Sequence, residues 1–170
     1  IDIKDKKVLI LGTGGTSKTA KAVLADLGAR EIITVSRKPS ESTITYENAV
    51  QVHSDAEIIV NTTPLGMYPN NCDCPIDIAL FPNLTGVIDA IYNPLRTNLI
   101  LEAQKRGIPA VGGLMMLILQ AAMAAEIFLG KKLDNGKVDE TVKNIFTSKE
   151  NIVLIGMPGS GKSTIGKIIS

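Results

Sequence analysis

The sequence predicts an α/β fold. It is a doubly wound parallel sheet of six strands in the order 3-2-1-4-5-6, followed by a short, truncated P-loop strand–helix tail. Three observations predict it. Short runs rich in Val, Ile and Leu alternate with helically spaced segments through the first 146 residues. Those runs are apolar without a polar alternate face, as strands covered on both sides require. Two glycine-rich loops, at residues 12–17 and 156–163, each leave such a run and open a helix. Alternation of this kind gives a parallel sheet wrapped by helices, and right-handed crossovers then set the strand order of a Rossmann-type domain.

The elements follow in chain order. Residues 8–11 (VLIL) form a buried strand that ends in glycines. Residues 16–27 carry Ala20, Val23, Leu24 and Leu27 at helical spacing, and Gly28 stops that helix. Residues 31–36 (EIITVS) are the second strand, and a loop with Pro39 leads to a short third strand at 44–46. A helical turn at 47–53 precedes the fourth strand at 57–61 (EIIVN). Residues 62–83 read as loop, rich in Pro and Asn, with a short helix around 76–80. The fifth strand is 86–90 (GVIDA), a helix follows at 98–106 before Gly107, and the sixth strand is 108–111. A long apolar helix starts near Leu114, and an amphipathic helix spans 138–146. The polar stretch 147–150 is read as a joint, so the expected domains are 1–146 and a tail at 151–170.

Bulk properties exclude several classes of function. At 45% hydrophobic and 21% charged, with net charge +1, the chain has ordinary globular composition and no general nucleic-acid or membrane surface. Cys72 and Cys74 flank one residue. A disulfide between them would close a strained ring, and no His or Cys lies near enough in sequence to complete a metal site. Reduced thiols in a cytoplasmic protein are the expectation. The run 114–129 (LMMLILQAAMAAEIFL) is shorter than the roughly 20 residues of a membrane span, and it contains Gln120 and Glu126, so a buried helix is expected. The first seven residues are too charged for a signal peptide. His53 reads as an ordinary surface residue, not a catalytic base.

In the first loop, Gly12 permits a tight turn and Gly14 lets backbone approach a diphosphate. The helix starting at Gly15 and Thr16 directs free N–H groups and its positive dipole end at that phosphate. Ser17 takes the third small-residue position of the fingerprint. An NAD-binding domain usually ends its second strand with an acid for the ribose 2′-hydroxyl. Here stand Ser36, Arg37 and Lys38, which suit the 2′-phosphate of NADP. The same two cations would also be at home as solvated loop charges.

Four segments together carry a family resemblance: VLILGTGGTSKTA at 8–20, NTTPLGMYP at 61–69, DAIYNPLRTNL at 89–99 and GGLMMLILQAA at 112–122. The stretch from about Lys6 to Phe146 resembles the C-terminal, NADP-binding domain of shikimate dehydrogenase. In that family an Asn-Arg-Thr motif meets the 2′-phosphate, and Arg37 matches its arginine. The resemblance implies that Asn61, Thr62 and Thr63 end a strand beside the nucleotide, with Leu65 and Met67 packing nearby. It implies backbone contact from Gly113 to the nicotinamide end, packing of Met116 on that ring, and Tyr92 and Gln120 reaching toward shikimate. Plainer roles stand beside these: Asn61 as a turn cap, 92–94 as a rigid loop, Met115 and Met116 as core filler. Gln120 is a polar break in an apolar run, and a buried amide needs a partner. The family's catalytic lysine and aspartate lie in an N-terminal substrate domain that is absent here, so no catalytic residue is expected in this chain.

The second loop, Gly156 to Ser163, fits the P-loop pattern, and NIVLIGMPGSGKSTIGK at 151–167 resembles the start of shikimate kinase. Gly156, Gly159, Ser160 and Gly161 would cradle the phosphates of ATP, Lys162 would reach them, and Ser163 would hold magnesium in an intact kinase. A tail of this length builds no core of its own, so poor ATP binding and docking on another surface are expected. The combined expectation is the nucleotide-binding part of a bifunctional shikimate dehydrogenase/shikimate kinase, acting on shikimate and 3-dehydroshikimate. Its partner would be the substrate domain, with self-association of the chain possible and no nucleic-acid or membrane partner. The alternatives are a stand-alone nucleotide-binding module without catalysis and an NAD-dependent quinate/shikimate dehydrogenase.

Overall fold

The structure is a computed structural model that describes residues 1–148 and 155–169. The chain forms two compact units, Ile1–Lys132 and Leu133–Ser170. The first unit runs β1 (Lys7–Leu11), α1 (Gly15–Asp26), β2 (Glu31–Val35), α2 (Tyr46–Val52), β3 (Ile58–Asn61), a 3₁₀ turn (Ile78–Leu80), β4 (Gly86–Asp89), α3 (Asn98–Lys105), β5 (Ala110–Val111) and α4 (Leu114–Leu129). The second holds α5 (Asn135–Ser148) and α6 (Lys162–Ile169).

All five strands pair in parallel, in the order β2-β1-β3-β4-β5. Every residue of β1 is buried, because the sheet is covered on both faces. Leu9 and Leu11 point into one core layer with Ile59, Val87, Leu99, Ile100, Phe81 and Ala49, the side of α2 and α3. Val8 and Ile10 point the other way, with Leu24, Ile58 and Val60, the side of α1. This period of two on a central strand explains why the run reads as uniformly apolar.

Two of the six expected strands change. The expected third strand, 44–46, is a single parallel bridge between Ile44 and Val35. Immediately beyond it the Thr45 side chain accepts the Asn48 N–H and caps α2, so the chain turns into helix before a second rung can form. With that strand reduced to one bridge, the remaining order matches the expected one. The expected sixth strand, 108–111, shortens to Ala110–Val111. Pro109 has no N–H to donate and joins the sheet edge through its carbonyl, which accepts from Val87 N at 3.0 Å.

Other expectations also shift. The helix 114–129 was expected to be buried, yet in α4 the buried residue is Leu114, while Met123, Ile127 and Phe128 are exposed. No helix among the described residues is long and apolar enough to cross a membrane. The last amphipathic helix is longer than 138–146 and runs through Thr147 and Ser148, so the first half of the expected joint is helical. The compact units divide at Lys132/Leu133. The tail strand expected within 151–154, and residues 149–150 of the joint, lie outside the described residues. His53 is half-buried at the end of α2, and its Nδ1 is buried without a hydrogen-bond partner, so it is not an ordinary surface histidine.

Candidate functional site: the carboxyl rim of the sheet

The carboxyl ends of the strands form a rim, and the strand order reverses at β1 and β3. Parallel α/β sheets bind ligands outside such a reversal. Gly12 leaves β1 with φ +105°, and its N–H donates to Val35 O at 2.9 Å. A Cβ there would lie 2.9 Å from Thr62 Oγ1 and 3.0 Å from Thr63 Cγ2. Position 12 is therefore glycine for two reasons, the left-handed turn and the close approach of the β3 exit. Gly14 is the N-cap of α1 and offers no side-chain cap to the first turn. Open space surrounds both Gly14 and Gly15, and Thr16 is exposed. The helix start thus turns uncapped N–H groups toward an accessible cradle, the arrangement that binds a phosphate. Ser17 is buried, where a small residue lets α1 press on the sheet.

Leu11 pairs with Val35, so Ser36 follows β2 beside the Gly12 turn. Ser36 Oγ accepts the Lys38 N–H at 3.2 Å, and Ser36 N donates to Ile44 O at 2.8 Å. Arg37 and Lys38 are exposed. Arg37 stands near Tyr46, whose hydroxyl is pushed up by burial and partly pulled back by that guanidinium. No acidic residue occupies this end of β2.

Asn61 ends β3, and its side chain is fully buried. Its Oδ1 accepts Thr63 N at 3.0 Å and Thr63 Oγ1 at 2.7 Å, and its Nδ2 donates to Asp89 Oδ1 at 3.0 Å. The Asn61 amide therefore shapes the turn and does not itself face the rim. Thr62 Oγ1 donates to Leu11 O at 2.6 Å, tying that turn to β1.

Asp89, at the end of β4, is a residue that sequence reasoning passed over. It is fully buried and accepts Ile91 N at 3.1 Å and Thr97 Oγ1 at 2.6 Å in addition to Asn61. Burial pushes its carboxyl above the usual aspartate range, and the bonds from Thr97, Ile91 and Asn61 oppose that shift. Thr97 is also the N-cap of α3. The sequence shows an apolar strand closed by an acid, GVID, and a threonine just before a helical run, but not that the two side chains meet.

Gly113 precedes α4 and donates its N–H to Ile91 O at 2.9 Å. A Cβ there would overlap the Ala90 carbonyl, so only glycine lets α4 begin this close to β4. Met116 and Tyr92 are half exposed, and Gln120 is exposed. The expectation that Gln120 is a buried amide does not hold, because its helix face is open. The described rim thus gathers 12–17, 36–38 and 61–63, with Gly113 joined through β4.

In the second unit, Gly159 and Gly161 take φ of +81° and +78°. Lys162 Nζ curls back over the loop and donates to Gly156 O and Met157 O, each at 2.7 Å, and contacts Ser160 Oγ at 3.3 Å. Ser163 is exposed in the first turn of α6. Among the described residues no group of three or more His, Cys, Asp or Glu is placed to hold a metal ion. Cys72 and Cys74 are free thiols.

No protein-family model matches the chain. A shikimate dehydrogenase (NADP(+)) from Clostridium beijerinckii is 35% identical over 158 residues, covering 88% of this chain and 57% of the relative. A chorismate mutase/shikimate 5-dehydrogenase fusion protein from Clostridium acetobutylicum superposes with TM-score 0.81 at 30% identity, covering 89% of this chain and 58% of that one. Other relatives and structural neighbours that cover this chain include further shikimate dehydrogenases. A shikimate 5-dehydrogenase from Thermus thermophilus, solved in complex with NADP(H) and shikimate, also matches, with TM-score 0.70 and 27% identity over 85% of this chain and 56% of that one. The chain spans a little over half the length of these shikimate dehydrogenases, and its five-stranded sheet corresponds to their Rossmann-like nucleotide-binding fold.

Proposed function

We propose that this chain is the NADP(H)-binding portion of a cytoplasmic shikimate dehydrogenase, which interconverts 3-dehydroshikimate and shikimate. The observation that carries the reading is the pairing of an uncapped phosphate cradle at Gly12–Gly15 with Arg37, and no acid, at the end of β2. The residues fit the cofactor. The space beside Gly14 and Gly15 is open where a diphosphate would lie, and the first-turn N–H groups of α1 are directed into it. Arg37, aided by Lys38 and Ser36, would hold the 2′-phosphate through charge-assisted bonds.

When bound, the reduced dinucleotide supplies the hydride. The chain's own part is to bind and orient it. The Thr62–Thr63 turn backs the diphosphate, and Gly113 and Met116 border the nicotinamide end. Tyr92 and Gln120 face the substrate. In this proposal the catalytic lysine and aspartate belong to a substrate domain, which would cover the exposed apolar face of α4. Residues 1–146 are the shikimate dehydrogenase part, and 151–170 are the beginning of a shikimate kinase. The bent-back Lys162 and the left-handed Gly159 and Gly161 support an anion-binding loop there. Gly156, Ser160, Gly161 and Ser163 would serve ATP and magnesium in a complete kinase, and this tail alone is expected to bind ATP poorly.

Calorimetric titration of the chain with NADP+ and NAD+ tests the cofactor reading. NADP+ is expected to bind more tightly. Arg37→Ala should weaken NADP+ by about tenfold or more and NAD+ by less than about twofold. Equal affinity for the two nucleotides, or equal losses in the variant, would overturn it.

A further inference from the structure

We propose, resting on the NADP reading above, that Asp89 is a positioning residue that sets the nicotinamide half of the cofactor crevice. Three donors from three separate segments converge on this one buried carboxyl: Asn61 Nδ2 from the end of β3, Ile91 N from the chain leaving β4, and Thr97 Oγ1 from the head of α3. A carboxyl withdrawn from water in this way persists only where its bonds are satisfied, so the three segments are held in one arrangement.

Each segment passes its position on to the rim. Asn61 fixes Thr63 through two bonds from Oδ1, and Thr62 and Thr63 stand against Gly12. Ile91 receives the Gly113 N–H, and Gly113 lies against the Ala90 carbonyl, which fixes where α4 and Met116 begin. The adenosine side is anchored differently. Arg37 follows β2, and none of Asp89's three donors lies on that strand. Loosening Asp89 therefore moves the wall beneath the nicotinamide and spares the adenosine end.

The experiment compares two probes on the full chain: NADP+, and adenosine 2′,5′-bisphosphate, which lacks the nicotinamide half. Asp89→Ala is expected to weaken NADP+ by about tenfold and the bisphosphate by less than about twofold. Asp89→Asn should recover most of the loss, since its amide oxygen can accept from Asn61 and Ile91 while its NH₂ donates to the Thr97 hydroxyl. Thr97→Val removes one bond and keeps the β-branched shape. It should show the same selective loss at about threefold, and Thr97→Ser should restore binding. Thr97→Val decides the matter if Asp89→Ala does not fold. Parallel losses for both probes, or none for either, would overturn the assignment. A wild-type chain that binds neither probe would instead overturn the NADP reading, and this assignment with it.

Discussion

A single absent methyl group separates two kinds of glycine on the rim. At Gly113 an added Cβ would overlap the Ala90 carbonyl, and neither β4 nor α4 can retreat without breaking the Gly113–Ile91 bond. At Gly14 nothing lies within 4 Å of the same atom. Gly113→Ala should therefore cost about 2–3 kcal/mol in urea denaturation. Gly14→Ala should cost under about 1 kcal/mol and, on the proposed function, still weaken NADP+, because the diphosphate would take that open space. Comparable destabilisation by both would contradict this distinction. The turn at Gly12 and the helix start at Gly14 were legible in the sequence because glycine suits both, and Arg37 was legible as a cation following β2. Asp89 was not. A buried acid looks like any other acid until the donors around it are known, and those come from positions 61, 91 and 97. The place of Asn61 at the end of β3 was legible, but its bonds were not, because an amide can serve a turn or a ligand equally well.

Among the elements, four of the six strands were read securely, since β-branched runs ending in glycine or polar residues have few other uses. The bridge at Ile44 was overread as a strand, because sequence propensity does not register that Thr45 is already committed to capping α2. The opposite problem arose with α4. Its apolar character was plain, but a helix that is apolar on most sides carries no mark of which surface covers it. Phe128 is 90% exposed and Ile127 80%, with Met123 beside them. A patch of this kind associates when nothing covers it. Sedimentation velocity of the chain should show concentration-dependent oligomers, and Phe128→Lys with Ile127→Lys should shift them toward monomer. A wild-type chain that stays monomeric at high concentration would refute that expectation.

At the scale of the first unit as a whole, one ion-pair cluster and the cradle lie at opposite ends of the sheet. At the amino ends of the strands, Glu57 takes Lys6 Nζ at 2.8 Å and Arg30 at 3.3 Å, and Lys7 Nζ takes Asp55 at 2.8 Å. The Lys6 ammonium chiefly holds Glu57 below the usual glutamate range, and Lys7 does the same for Asp55. Because these folded-state values are depressed, their contribution is present above the ordinary carboxylate range and is lost as pH falls through the lowered values. Asp89 runs the other way: its value is raised, so its contribution is fullest below the ordinary aspartate range and declines as pH rises through the raised value. Urea midpoints of Glu57→Gln should therefore fall less than wild type between about pH 5 and pH 3, and an unchanged acid limb would rule out the Lys6–Glu57 pair as its source. The same segregation offers a practical handle. A fluorophore or surface tether placed near Lys6 or Arg30 would sit roughly 15 Å from the Gly12–Gly15 cradle, about one strand length. It could report on or immobilise the protein without crowding that cradle.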